Sequence, residues 1–243
     1  MSYLFMGIDS STQGTKLLVL NIETQKVIYT DSVNYDKDLP QYHTRNGVIQ
    51  TDKVGVSESN PNMWVDALHM LFERLRESDV EQQNIKCISV SGQQHGLVTL
   101  DKNGNLTRPT SKLWNDFSTQ EECDIMTEKT GGVDAMIREV GNSQRTGYTA
   151  AKIFHMARHE ADAFEKTSTC FLVHNYINWF LTGGRKGGVR IMEPGDTSGM
   201  ALWHPGTQTW SNKVMDIISP DLKQKLPPLK AADESIGSIS IDL

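Results

Sequence analysis

The sequence predicts an α/β domain with a mixed sheet flanked by helices. Three observations carry that expectation. The chain opens on YLFMGIDSSTQGTKLLVL, Tyr3 to Leu20, where two apolar runs, Leu4 to Ile8 and Leu17 to Leu20, are separated by a turn too short for a crossover helix. The runs therefore form an antiparallel hairpin. Val27 to Val33 alternates and adds a third strand, which makes an N-terminal meander. Helical and strand patterns then mix along the rest of the 243 residues, a length sufficient for a sizeable core.

After the meander, the polar stretch 34–59, with Pro40, Gly47 and Gly55, reads as a long surface loop. Asn60 and Pro61 have N-cap and first-turn chemistry. Trp64, Ala67, Leu68, Leu71, Phe72 and Leu75 follow at helical spacing, which predicts an amphipathic helix over 61–77. Ile85 to Val90 reads as a buried strand running into Ser91-Gly92-Gln93-Gln94-His95-Gly96. Leu97 to Leu100 is a further strand, and a turn follows at 101–104. Ser118 and Glu121 have capping-box spacing and open a helix near 119 that Gly131 and Gly132 end. Residues 133–140 form a second short helix, and Thr146 to Lys152 leads into a third. Phe171 to Leu181 reads as a buried helix ended by Gly183 and Gly184, and 184–190 as a basic, glycine-rich loop. Residues 193–199 make a tight polar turn. Met200 to Trp203 and Gln208 to Trp210 flank a turn at Pro205-Gly206, and Ser211 caps a helix over 212–218. The stretch 219–235 is loop-like, and Ile236 to Leu243 reads as the start of a strand. Trp64, Trp179 and Trp210 are expected in the core.

The net charge of −6 argues against a large nucleic-acid footprint, which calls for a basic surface. Cys87, Cys123 and Cys170 are far apart and form no C-x-x-C pair, so neither a disulfide framework nor a zinc site is expected. Cys87 and Cys170 lie in apolar runs and read as core. No apolar stretch approaches membrane-spanning length, and a reducing, cytoplasmic setting is the expectation.

The turn Ser10 to Gly14 is where the residues suggest chemistry. A turn of small residues exposes backbone N–H groups that bind anions. Ser10, Ser11 and Thr12 add hydroxyl donors, and Gly14 permits close backbone approach. Asp9, at the strand end, is placed to hold a cation or its water shell, as phosphoryl transfer requires. Strand, Asp, hydroxylated turn, Gly, strand is thus a candidate magnesium-phosphate cradle. A solvated hairpin with a turn-favouring Asp is the other reading of the same residues.

Taken in order, GIDSSTQGTK (7–16), SGQQHG (91–96), LWND (113–116), TGYTAAK (146–152) and DTSGMALW with TQTWS (196–211) resemble motifs of the FGGY family of carbohydrate kinases, most closely its xylulose kinase branch. The resemblance runs from about Leu4 to Gly237. It implies an actin-like, ribonuclease-H-like fold, with residues 1–243 as the N-terminal sugar-binding domain. It also implies a C-terminal nucleotide-binding domain, and a glycine-rich segment bearing the catalytic Asp, that this chain does not include; Asp233, in AADES, is a poor match to that segment. The implied cofactors are ATP and Mg2+, and the implied substrate is a small-molecule sugar, a ketopentose such as xylulose. Residue by residue, the resemblance makes Asp9 the catalytic, magnesium-linked carboxylate. Ser11, Thr12, Gln13 and Lys16 would meet phosphate, with a solvated surface lysine as the alternative for Lys16. Gln94, His95 and Asn115 would hydrogen-bond the sugar, and Trp114 would stack on it. Tyr148 and Lys152 fall near the cleft.

Two other functions compete. One is a metal-dependent nuclease of ribonuclease-H-like fold, with Asp9, Asp116 and Asp196 as metal ligands. The other is a non-catalytic sugar-binding module. The isolated chain is expected to be inactive or nearly so, and to self-associate, as a homodimer, through cleft surface that a second domain would cover.

Overall fold

The computed structural model describes residues 3–240. Its centre is a four-stranded mixed sheet built from β1 (Leu4–Ser10), β2 (Gly14–Asn21), β3 (Lys26–Asn34) and, after the helix α1 (Pro61–Arg76), β4 (Ile85–Gly92). The order across the sheet is β3-β2-β1-β4. β1 and β2 form the expected hairpin, with Asp9 opposite Lys16 and Ser10 opposite Thr15. β1 and β4 run parallel, with Asp9 beside Ser91 and Ser10 beside Gly92. That register sets the hydroxylated turn and the Ser91 to Gly96 segment at one end of the sheet. Beyond the carboxyl ends of parallel strands is where open α/β sheets bind ligands.

The alternation of β1 and β2 fixes which face is buried. Leu4, Met6, Ile8, Leu17 and Val19 point into the core, where Trp64, Leu68, Leu71 and Leu75 of α1 meet them. Asn60 caps α1 through its side chain and Pro61 sits at the first turn, as expected. Phe5, Leu18 and Val27 lie on the other face and are exposed. Cys87 pairs in register with Phe5 and is exposed with it, which corrects its assignment to the core. An apolar neighbourhood in sequence does not choose between the two faces of a strand.

A second core cluster joins α2 (Gln120–Thr130), α3 (Val133–Val140) and α4 (Thr149–His159) with a later helix, Asn212–Ile218, through Met126, Met136, Ile153 and Met215. Ser211 caps that later helix by accepting from the Val214 amide. Of the tryptophans expected in the core, Trp64 and Trp179 are buried, and Trp210 is only half-buried.

The structure corrects four further expectations. Residues 34–59 are ordered by local bonds. Asn34 caps a helical turn, Tyr35–Asp38. The Asp36 carboxylate then accepts from the Thr44 hydroxyl at 2.7 Å and the Gly47 amide at 3.0 Å. The capping box at 118–121 does not form, because the helix starts one residue later with Thr119 at the N-cap, while the Ser118 hydroxyl donates to Asp116 at 2.6 Å and accepts from Lys112 Nζ at 2.7 Å. The apolar run expected as one helix over 171–181 is divided. Thr169–Phe171 is a strand antiparallel to Val98–Leu100, and a helix follows over Val173–Leu181. Period alone does not separate a buried strand from a buried helix. Residues 236–240 form no strand, and 241–243 lie outside the described residues.

Candidate functional site

The Thr12 side chain is the joint of the site. Its hydroxyl donates to Gln93 Oε1 at 3.3 Å and accepts from the Trp114 indole N–H at 2.9 Å. Residues 81 and 102 positions from Thr12 thus converge on one oxygen. Each is delivered by an element whose placement has a cause. Thr12 tops the β1–β2 turn. Gln93 follows β4 directly, its amide held by the Ser10 carbonyl at 2.9 Å. Trp114 sits on a loop braced from below.

The bracing of that loop is dense. The Asp116 carboxylate, fully buried, accepts from the Ser57 amide at 2.9 Å, the Ser118 hydroxyl at 2.6 Å and Lys112 Nζ at 3.4 Å. Asn115 Oδ1 accepts from the Ser57 hydroxyl at 2.7 Å. Ser57 precedes Glu58–Ser59, which pairs with Ser111–Lys112. Arg108 locks the same bridge by donating to Glu58 at 2.6 Å and to Glu160 at 3.0 Å. Trp114 itself keeps 48% of its surface open, an aromatic face left to solvent.

The hydroxylated turn is pinned from beneath and from the side. The Tyr35 hydroxyl, buried under it, lies 2.8 Å from Thr15 Oγ1, 3.1 Å from Ser10 Oγ and 3.3 Å from the Ser11 carbonyl. Burial pushes this phenol up to about 12, so it stays neutral. Gly47, at φ 76°, lies against the turn so closely that a Cβ there would stand 1.8 Å from the Thr12 carbonyl oxygen. Asp9, Ser11, Gln13 and Lys16 are exposed around this turn, and Asp9 and Lys16 are direct cross-strand neighbours.

His95 takes a left-handed backbone, φ 63°. Its carbonyl accepts from Lys152 Nζ at 2.7 Å and from the Thr149 hydroxyl at 3.2 Å. Its ring lies 4.8 Å from that of Tyr148 and is pressed against Gly199, where a Cβ would come within 2.5 Å of Cε1. Burial, reinforced by the Lys152 ammonium and opposed by Asp196, holds the imidazole below its usual value, so it is neutral at pH 7. A neutral imidazole both donates and accepts, which suits a hydroxyl partner. The buried Gln93 amide nitrogen has no partner among the described residues, so a donor at this junction stands unused.

Gln94, next in the chain, is exposed. It lines the end of a groove of about 1130 Å3 that follows the outer edge of β4. His174, Glu193 and Asp196 line the same end. His174 Nδ1 lies 3.0 Å from Asp196, and Nε2 lies 3.6 Å from Glu193. The residue that joins Thr12 is therefore Gln93, not its neighbour Gln94. Sequence reasoning passed over Gln93, Tyr35 and His174. The polar His174-Asn175 pair inside an apolar helix was the available signal for the last.

The carboxylates Asp9, Asp116 and Asp196 do not gather. Among the described residues the grouping able to share a metal ion is Glu121, Glu122 and His159, and Arg158 already donates to both of its carboxylates. The nuclease reading thus loses its ligand set.

Sheet order, the meander with its parallel fourth strand, and a site at the strand ends define an actin-like, ribonuclease-H-like domain. The chain belongs to the FGGY family of carbohydrate kinases, whose N-terminal domain matches residues 4–243. It is 35% identical over 249 residues to a xylulose kinase from Haemophilus influenzae, covering 99% of this chain and 46% of that protein. A Bacillus subtilis xylulose kinase is 34% identical, with 98% and 44% covered. The chain thus spans a little under half the length of these relatives. A xylulose kinase structure from Brucella ovis superposes with a TM-score of 0.84 at 27% identity, covering 99% of this chain and 46% of that one. A Plasmodium falciparum glycerol kinase with ADP reaches 0.82 at 18% identity, covering 98% and 45%, a likeness of fold.

Proposed function

We propose that this chain is the sugar-binding half of an ATP-dependent carbohydrate kinase that phosphorylates a ketopentose such as xylulose. The observation that carries the reading is the convergence of the phosphate-type turn, the strand-end glutamine and the open Trp114 face on the Thr12 hydroxyl. Phosphoryl transfer demands that donor and acceptor sites share one small volume, and this junction supplies that adjacency.

In this reading His95 and Gln94 hydrogen-bond sugar hydroxyls, and Trp114 offers its face to the apolar side of the ring. Asn115 acts on the sugar through its side-chain amide N–H2 and the second lone pair of its oxygen, Ser57 holding the first. Gln13 would present donors to phosphate, with Lys16 beside it; the hydroxyl protons of Ser11 and Thr12 already go to the Gly14 carbonyl and to Gln93, so these two residues would meet phosphate after those bonds exchange. Asp9 would hold Mg2+. A single exposed carboxylate suits an ion that keeps most of its waters, and the ion when bound supplies neutralisation of phosphate charge. The nucleotide-binding domain and the catalytic base are assigned outside these 243 residues, so the chain alone is expected to bind sugar and turn over little ATP. A cytoplasmic setting belongs to the same reading; Cys87, Cys123 and Cys170 are free thiols, and no helix among the described residues is long and apolar enough to cross a membrane.

A thermal-shift panel of ketopentoses, aldopentoses, hexoses, polyols and glycerol tests the reading. A sugar at about 100 times its Kd stabilises the fold by about 2.7 kcal/mol. One ketopentose is expected to raise Tm, and His95→Ala to abolish the shift. A shift that survives in His95→Ala, or none with any sugar, counts against it.

A further inference from the structure

Lys152 is among the largest fully buried side chains of the protein. A lysine out of water is costly unless its ammonium is bound. Burial, with the Lys112 ammonium acting in the same direction, drives this one down to about 7 against the favourable charge of Asp116. Its hydrogen bonds go to two backbone carbonyls, that of His95 at 2.7 Å and that of Gly147 at 2.6 Å. These belong to different segments, 57 and 5 residues from Lys152.

Both carbonyls belong to segments that carry or back the candidate sugar-binding residues His95 and Trp114. His95 carries the imidazole and holds a left-handed backbone that residues other than glycine avoid. Something must hold its peptide group there, and Lys152 and Thr149 both donate to it. Gly147 lies directly against the Trp114 carbonyl, where a Cβ would come within 2.4 Å of the oxygen. One ammonium therefore ties the His95 segment to the segment that backs Trp114.

We propose that Lys152 is a positioning residue of the sugar pocket, its ammonium setting the spacing between His95 and Trp114 without touching the ligand. The proposal rests on the sugar-binding reading above for its ligand, and on the two carbonyl bonds for its geometry. Losing two charge-assisted bonds frees both segments, and the pocket then has to be ordered when sugar binds, so affinity falls.

The test compares wild type with Lys152→Met, which keeps the stem and removes the donors. Thr149→Val, a near-isosteric loss of the second donor to His95, serves as a milder variant. The first readout is amide hydrogen exchange without sugar. Lys152→Met is expected to speed exchange about tenfold at residues 95–97 and 147–148, leaving β1 and α1 at wild-type rates. The second is xylulose affinity, read by tryptophan fluorescence, with Kd raised about tenfold or more and a smaller rise in Thr149→Val. Wild-type exchange at both segments overturns the proposal. So does exchange that rises uniformly over the chain, the mark of a purely structural lysine, and so does unchanged Kd with both segments loosened. If Lys152→Met does not fold, Lys152→Gln, which is too short to reach both carbonyls, takes its place, and wild-type exchange and Kd there overturn the proposal. Failure of the wild-type chain to bind any ketopentose refutes the sugar reading and the ligand role of Lys152 with it, whereas the exchange data separately decide whether the ammonium ties the two segments.

Discussion

Tyr35→Phe removes one oxygen from beneath the hydroxylated turn and changes nothing else in shape. The Tyr35 hydroxyl has three partners, Thr15 Oγ1 at 2.8 Å, Ser10 Oγ at 3.1 Å and the Ser11 carbonyl at 3.3 Å. A neutral hydrogen bond contributes about 0.5–1.5 kcal/mol net, and a buried group left unpaired costs about 1–3 kcal/mol. Thr15 and Ser10 retain their mutual bond at 3.3 Å, which limits the loss. The expected cost is therefore about 2 kcal/mol, or a fall in Tm of about 4–8 °C for a chain of this size. Urea unfolding should show a lower midpoint at unchanged m-value, and amide exchange should quicken at Ser11 to Gly14.

The pH dependence supplies an internal check. The folded phenol is raised by burial to about 12, whereas an unfolded tyrosine ionises near about pH 10. The unfolded chain loses its proton first, so the stability that Tyr35 contributes is complete below about pH 10 and is lost as pH rises from there towards the folded value. The difference between wild type and Tyr35→Phe must therefore be flat from about pH 6 to 9. A cost under about 0.5 kcal/mol, or a difference that changes across neutral pH, refutes this account of the turn.

Arg108→Ala strands Glu58 and Glu160 without their shared cation and should cost about 3–5 kcal/mol by urea unfolding; a loss below about 1 kcal/mol would contradict the bracing role. Burial works to raise the Glu58 carboxyl, but Arg108, Thr110 and Lys112 together hold it below its usual value. Its contribution is thus present above the ordinary glutamate range and lost as pH falls below it, and Arg108→Ala should flatten the acid limb of a stability profile measured from about pH 3 to 6. Gly147→Ala sets a Cβ 2.4 Å from the Trp114 carbonyl oxygen. The expected cost is about 1–3 kcal/mol, with a shifted tryptophan emission and weakened xylulose binding; unaltered emission and affinity would separate Gly147 from the pocket. Asp9→Ala, at an exposed position, is expected to leave Tm within about 1 °C while abolishing phosphoryl transfer once the chain is paired with the nucleotide-binding half of a family member, and retained turnover there would remove Asp9 from its role.

Much of the frame was legible in the sequence because its cues are local. Alternation in Leu4 to Leu20 and a turn too short for a crossover define the hairpin. Asn60-Pro61 announces α1, and the ordered motifs identify the family. What was misread depends on strand register and on side-chain hydrogen bonds, which alternation and spacing do not carry. Cys87 is exposed because its strand pairs in register with Phe5, whose face is open. Ser118 does not cap its helix because the helix starts one residue later and the Ser118 hydroxyl sits between Asp116 and the buried Lys112. Residues 34–59 are ordered because Asp36 collects donors from a hairpin several residues further on.

By itself, then, the sequence determined the meander, the α1 cap and buried face, and the residue types available for chemistry, since each depends on neighbours within a few positions. Only the tertiary structure decided that Gln93, not Gln94, meets Thr12, that Trp114 joins them from 102 residues away, and that a buried lysine holds the His95 carbonyl. Those choices depend on strand register and on which donors remain unsatisfied once the core has closed. Both are properties of the packed chain, and neither is encoded in any short stretch of it.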